Sequence, residues 1–288
     1  MNFTFSGHES FQCRTLWLKK GYDYLKAGKD FNAIESVVDL GVGKNMVNAI
    51  FFWMKAFGLL NEDKTTTEFA KAILDDNGFD PFLERRSTLW LLHYQLVATQ
   101  RASLYHYVFN IYRKQYPTLT KEFLAKALEL HCNYHKKNIS PNTLDTDSGV
   151  FIKNYYSPVV TKSIEDDCSG VFVELGLFDT IERNRENVYA LNLKDGDGID
   201  ELVILYAISC LQEQGVYTNS ISFDSLMNYE NSPGTVFLLN QNGMMNKVQR
   251  IVKMFPKVTT YTDDAGIREL QFKKRFPSQE VLRMIYTK

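Results

Sequence analysis

The chain has 288 residues, 44% hydrophobic and 23% charged, which is the make-up of an ordinary folded protein with room for two or three domains and excludes a disordered or fibrous one. No apolar run reaches the roughly 20 residues that span a bilayer, and the opening MNFTFSGHES lacks an export signal's basic-then-apolar pattern, so a cytoplasmic protein with no membrane partner is expected. The net charge of −1 is unevenly laid: residues 1–60 carry +2, residues 61–246 carry −9 and residues 247–288 carry +6, a pattern that fits an anionic partner for the two ends and equally a solvated face or docking of the basic tail segment onto the chain's own acidic middle.

In SFQCRTLWLKKGYDYLKAG, Phe11, Leu16, Trp17, Leu18, Tyr22 and Leu25 recur near helical period, and Gly28 closes that helix. Just before it, GHESF pairs His8 with Glu9, a combination suited to acid–base work or to half a metal site. No partner residues are legibly spaced around it. Phe3, Phe5 and Phe11 are therefore expected to anchor the segment, with Glu9 or Ser10 capping the helix.

A second helix, about Asn32 to Leu40, stops at Gly41, and a third runs from Lys44 to about Ala56 with Met46, Val47, Ile50, Trp53 and Met54 inward. Between them DLGVGKNMV resembles a phosphate loop. A Walker loop needs four residues between its glycines and a Ser or Thr after its Lys, whereas only Val42 separates Gly41 from Gly43 and Asn45 follows Lys44. Residues 31–57 read instead as a helix-turn-helix, packed through Val42, Val47 and Ile50, with Lys44, Asn45, Asn48, Phe52 and Lys55 outward. Asn suits adenine edges, and Lys suits guanine or phosphate. The hairpin expected in LLNEDKTTTEF would be a wing, with Lys64 and Thr65 to Thr67 near the DNA backbone. Winged helices also serve as protein-docking units.

Residues 85–157 look wholly helical, with Ser87 and Thr120 as N-caps and Pro117 as a separator. His131 and His135 lie one turn apart, a spacing that can hold zinc, but Cys132 stands where a metalloprotease has Glu and no third ligand is identifiable. They are expected to be packed or solvated, and His93 and His106 to lie in a core or interface. Glu165, Asp166 and Asp167 suit the start of a short helix. Two apolar runs around RNREN then form a second hairpin, preceded by LGLF as the first is by FGLL. The cysteines, Cys13, Cys132, Cys168 and Cys210, form no C-x-x-C pair, so reduced thiols are expected.

After LKDGDG, a boundary by its turn chemistry, come helices in IDELVILYAISCLQEQG, SFDSLMNY and QNGMMNKVQRIVKMFP, then strands flanking a DDAG turn. Lys247, Arg250 and Lys253 recur every three residues, and Arg268, Lys273, Lys274 and Arg275 lie on or after the last hairpin, a pattern suited to tracking phosphates.

The segments FSGHESFQCRTLWLKKGYD, LGVGKNMVNAIFFWMKAFGLL, GFDPFLERRSTLWLLHY, SPGTVFLL and DDAGIREL together resemble the domain-of-unknown-function family 4007 of bacterial proteins, over nearly the whole chain. The resemblance implies a setting in genomic islands with DNA sulfur-modification or phage-defence genes, often beside a phosphoadenosine-phosphosulfate-reductase-like protein. It supplies no catalytic residues.

The expectation is a mainly α protein. It comprises an N-terminal winged helix-turn-helix (1–84), a helical middle ending in a small hairpin (85–196) and a C-terminal helical domain with a β-hairpin, read as winged-helix-like (197–288). The expected function is that of a non-enzymatic, cofactor-free accessory subunit of a phage-defence or DNA sulfur-modification system. It would bind duplex DNA through Lys44, Asn45, Asn48, Lys55, Lys64, Lys247, Arg250, Lys253, Lys273 and Lys274. The alternative is an adaptor that holds a reductase-like sulfurtransferase or nuclease partner, suggested by the acidic middle and the 20 Phe, 16 Tyr and 3 Trp.

Overall fold

The computed structural model describes residues 3–157, 169–183, 186–264 and 266–287. They are mainly helical, with two small antiparallel sheets, and the chain divides into two compact units, Met1–Leu191 and Asn192–Lys288. No helix among the described residues is long and apolar enough to cross a membrane.

The first unit opens with α1 (Thr15–Lys26), α2 (Ser36–Leu40), α3 (Lys44–Ala56) and α4 (Glu68–Leu74). The short α2 ends because Gly41 takes a left-handed φ of 60°, which lets the Gly41 and Val42 amides close onto Val38 and Val37. Between α3 and α4 the chain makes a single antiparallel bridge, Leu60 to Thr66, in place of the expected hairpin. Thr67 then caps α4 by accepting the Ala70 N–H.

Next come α5 (Arg86–Ala98), α6 (Ser103–Tyr107), a π-helical turn (Val108–Tyr112), α7 (Arg113–Gln115), β1 (Thr118–Leu119), α8 (Lys121–Tyr134) and α9 (Pro141–Tyr155). A 3-10 turn (Val173–Leu175) leads to the strands β2 (Asp179–Arg183) and β3 (Glu186–Ala190). Thr120 caps α8 as expected, but Ser87 does not cap α5. Among the described residues no side chain caps α5; buried Asp80 instead fixes the approach to it, accepting the N–H groups of Glu84 and Arg85, which precede the helix, at 2.9 Å each and the Thr88 hydroxyl at 2.6 Å. Residues before and after position 84 share one core: Trp53 and Phe57 on α3 run into Tyr105, Phe151, Tyr155 and Phe172 through a chain of ring contacts.

The second unit contains α10 (Glu201–Glu213), β4 (Ser220–Ser222), α11 (Phe223–Asn228), α12 (Pro233–Val236), α13 (Gln241–Met254), β5 (Thr259–Asp264), β6 (Ile267–Phe272) and α14 (Ser278–Tyr286). Its sheet order is β4-β6-β5, and that of the first unit is β1-β3-β2. In each, a short strand precedes helices and pairs with the second strand of a closing hairpin. α10 is apolar almost all round and packs on α13 and α14. α13 buries only Gly243, Met244, Lys247, Val248 and Ile251, and Gly243 is needed there because a Cβ would lie 2.5 Å from the Asp195 carbonyl.

Candidate nucleic-acid interface

Lys44 and Asn45 are exposed in the first turn of α3, where unpaired helical N–H groups already favour anions. The Lys44 ammonium reaches back to the Phe31 carbonyl at 3.4 Å. Asn48 is half-buried and its amide is engaged, donating to the Glu9 carboxylate at 3.3 Å. Phe52 was expected to face outward, yet it covers Gly7 and stands edge-on to His8 at 5.7 Å, because the N-terminal segment lies over this turn. Lys55 and Lys64 come together on the Phe51 ring, their ammonium groups 4.2 Å and 6.0 Å from its centroid. The threonines beside Lys64 are committed internally, Thr65 to Asn61 and Asp63 and Thr67 to Gly58.

In the second unit, Arg250 and Lys253 are exposed on α13. Lys247 does not join them. It is 5% exposed, its ammonium donates to the Ile199 carbonyl, and burial lowers its pKa. Helix geometry gives the reason: at about 100° per residue, positions 247 and 253 lie about 120° apart, too far to share one narrow face. The other cations do gather. The Lys273 N–H donates to the Val258 carbonyl at 2.8 Å, so exposed Lys273 and Lys274 lie beside the chain that leaves α13 through exposed Lys257. Arg268 is held by its own hairpin and neighbours, 3.5 Å from the Asp263 carboxylate, 3.3 Å from the Tyr261 hydroxyl and 4.3 Å from the Phe223 ring centroid. The turn between the two strands carries Asp263 and Asp264, so the hairpin is acidic at its tip and basic at its base.

Reading charge alone misses the polar part of this face. Asn242, Asn246 and Gln249 are exposed on α13, which contains no Asp or Glu. The signal was present as amides at i, i+4 and i+7, the spacing of one helix face.

The other sequence candidates pack against neighbours within the first unit. His8 pairs with Asp147 of α9, not with Glu9: Nε2 lies 3.1 Å from Oδ1, Nδ1 accepts the Ser10 N–H, and the ring stacks on Trp53 at 5.8 Å. Neither Glu9 nor Ser10 caps α1. His131 and His135 pack around Phe3, at 5.9 Å and 5.5 Å between ring centroids. Buried His93 meets the Tyr155 hydroxyl at 2.9 Å, and buried His106 meets Asn110 at 3.1 Å. Among the described residues no group of three His, Cys, Asp or Glu comes together. Cys13, Cys132 and Cys210 are free thiols, and burial pushes Cys132 up to about 11 and Cys210 to about 12. Cys168 and the cluster Glu165, Asp166 and Asp167 lie outside the described residues.

A family model described as protein of unknown function (DUF4007) matches residues 5–286. The chain belongs to this family. Among solved structures, the DUF4007 chain is similar to SspB: one crystal structure is 26% identical with a TM-score of 0.83, and covers 99% of this chain and 88% of that one. A magnesium ion-bound SspB crystal structure is 25% identical, with a TM-score of 0.84 and the same coverage. A comparison with curated proteins found no match.

Proposed function

We propose that this DUF4007 chain is a cytoplasmic duplex-DNA-binding protein, a non-catalytic accessory subunit of a bacterial phage-defence or DNA sulfur-modification system. The α2–α3 pair acts as a helix-turn-helix whose wing is the tight turn carrying Lys64. The second unit acts as another winged helix, a reading supported by its order of helices, its β4-β6-β5 sheet and its hairpin. The observation that carries the proposal is the outer face of α13, a helix with no Asp or Glu of its own, where exposed Arg250, 3.8 Å from Glu201 of α10, and exposed Lys253 continue into Lys257, Lys273 and Lys274. Cations that outnumber the carboxylates beside them attract a phosphate backbone and release its counterions. In the first unit Lys44, Asn45, Lys55 and Lys64 provide a separate contact around α3.

Anisotropy of a labelled duplex at two salt concentrations tests this. Salt-sensitive binding is expected, and the double variant Arg250→Ala/Lys253→Ala should flatten the slope of log K against log salt by about 2 if both side chains meet phosphates. Absence of binding at low salt would overturn the proposal in favour of the protein adaptor.

One observation favours a second reading, since the structurally similar SspB has been crystallised with a magnesium ion. A divalent ion can polarise a phosphoryl oxygen and activate water, which would make DNA backbone cleavage the activity. Supercoiled plasmid incubated with the protein separates the two: relaxed circles that form only with magnesium would assign an enzyme, and unchanged plasmid would support the binding subunit.

A further inference from the structure

The phosphate-binding reading gives α13 affinity for any duplex, but the uncharged part of its surface has a different chemistry. Taking Asn242 as the origin and advancing about 100° per residue, Asn246 falls near +40°, Gln249 near −20°, Lys253 near +20° and Arg250 near +80°. Buried Ile251 falls near 180°, so the first four residues form an arc of about 60° directly opposite the side that packs on the unit. The stripe from 242 to 253 is about 16 Å long, enough to pass four or five base-pair steps.

Among the described residues nothing uses these amides. No hydrogen bond joins the side chains of Asn242, Asn246 or Gln249 to another group among the described residues, whereas Asn48 of α3 is tied to Glu9 and Asn240, which precedes α13, is tied to Asp195 and the Gly243 N–H. Three exposed carboxamides on one helix face, flanked by cations and free of carboxylates, match the donor–acceptor pairs that base edges present in the major groove. Asn and Gln pair with adenine N6 and N7, and Lys with guanine O6 and N7.

We infer that α13 is a base-reading helix, in which Asn242, Asn246, Gln249 and Lys253 select a short purine-containing sequence while Arg250 and Lys257 hold the flanking phosphates. The inference rests on the proposal that the protein binds duplex DNA. It also assigns the hairpin a passive role, because phosphates repel Asp263 and Asp264 at its tip, and it leaves sequence choice to a helix that fits the wide groove.

The test is repeated selection of the full-length protein on a duplex library with a randomised centre, followed by affinity measurements on the selected site and on an unrelated duplex. Enrichment of a four- to five-base-pair motif containing adenine or guanine is expected. The double variant Asn242→Ala/Asn246→Ala should lose about tenfold or more of its preference for that site while binding the unrelated duplex within about twofold of wild type. Replacing the motif's adenines by 7-deazaadenine removes the N7 acceptor without touching the protein, and should weaken wild-type binding to the level of the double variant. Salt-sensitive binding with no enriched motif would overturn base reading and leave the DNA-binding proposal standing. A motif recognised equally well by the double variant would assign reading to another element and also overturn the inference. Failure to bind any duplex at low salt would overturn both.

Discussion

Asp147→Ala should detach the segment before α1 from α9, with a cost that can be worked from the contacts it removes. The carboxylate accepts the His8 Nε2–H at 3.1 Å and the Ser6 N–H at 3.1 Å and 3.2 Å, and His8 and Asp147 are 3% and 5% exposed. Alanine accepts neither donor, and the His8 ring cannot turn to water because it lies between Trp53 and Phe52. The buried His8 donor left unmet costs about 1–3 kcal/mol, whereas Ser6 is an exposed residue whose N–H can meet water. For a unit of this size each kcal/mol lowers Tm by about 2–4 °C, so the midpoint should fall by roughly 2–12 °C. Urea unfolding followed by tryptophan fluorescence measures the loss. His8→Ala should destabilise as well, and the His8→Ala/Asp147→Ala double variant should lose less than the sum of the two, since each residue is the other's partner. An unchanged midpoint for Asp147→Ala would refute the anchoring argument. So would intact stability combined with loss of DNA binding or cleavage, which would make the pair a working dyad instead of an anchor.

Two further outcomes follow from neighbouring chemistry. Lys247→Ala should cost the second unit about 1–3 kcal/mol, because it orphans the Ile199 carbonyl and empties the space of the buried stem, yet leave the salt slope of DNA binding unchanged. Lys253→Ala should do the reverse, and matched thermal melts and anisotropy titrations of the two variants check the contrast. Asp75 is held down at about 2 by the Lys26 ammonium, then by the Asn77 N–H and the Tyr22 hydroxyl. Since its value when folded lies below the roughly 3.9 of an unfolded Asp, its stabilisation is present above pH about 4 and lost as pH falls toward 2. Asp75→Asn should therefore melt below wild type at pH 6, and the gap between them should close as the pH is lowered.

The helices were legible because their apolar residues repeat at 3–4 positions and Gly41 marks a stop that only a left-handed backbone explains. The basic character of the C-terminal segment was legible too, but not which cations face outward. A three-residue charge repeat drifts around the helix, and it placed Lys247 against Ile199 instead of beside Lys253. The brace that Asp80 gives the start of α5 was not legible, since it acts from a loop four to eight residues before its partners. The His8–Asp147 pair joins residues with no local spacing between them, so GHESF kept its look of a reactive motif until the fold supplied its partner.

The two three-stranded sheets raise the question of why the proposed reading of DNA falls to the helix before the hairpin in one unit and not in the other. Both sheets have the same order, and among the described residues α9 is the last α-helix before the hairpin in the first unit, as α13 is in the second. Their surfaces differ. α9 uses Asp147 to hold Ser6 and His8, Asn154 to hold the Cys13 N–H, and Asp145 to pair with Lys121 of α8 at 2.6 Å. Its buried residues therefore lie on several sides, and a carboxylate stands on what remains. α13 buries one side only, and among the described residues its one ion pair is that of Arg250 with Glu201, at 3.8 Å. One topology thus supports two roles, as expected when function lies in the site and not in the fold. In the first unit the helix is a post to which the N-terminal segment is tied, and the proposed nucleic-acid contact falls instead to Lys44, Asn45, Lys55 and Lys64 around α3. In the second the same position leaves a free stripe of amides and cations, and there sequence-dependent contact with DNA has room to form.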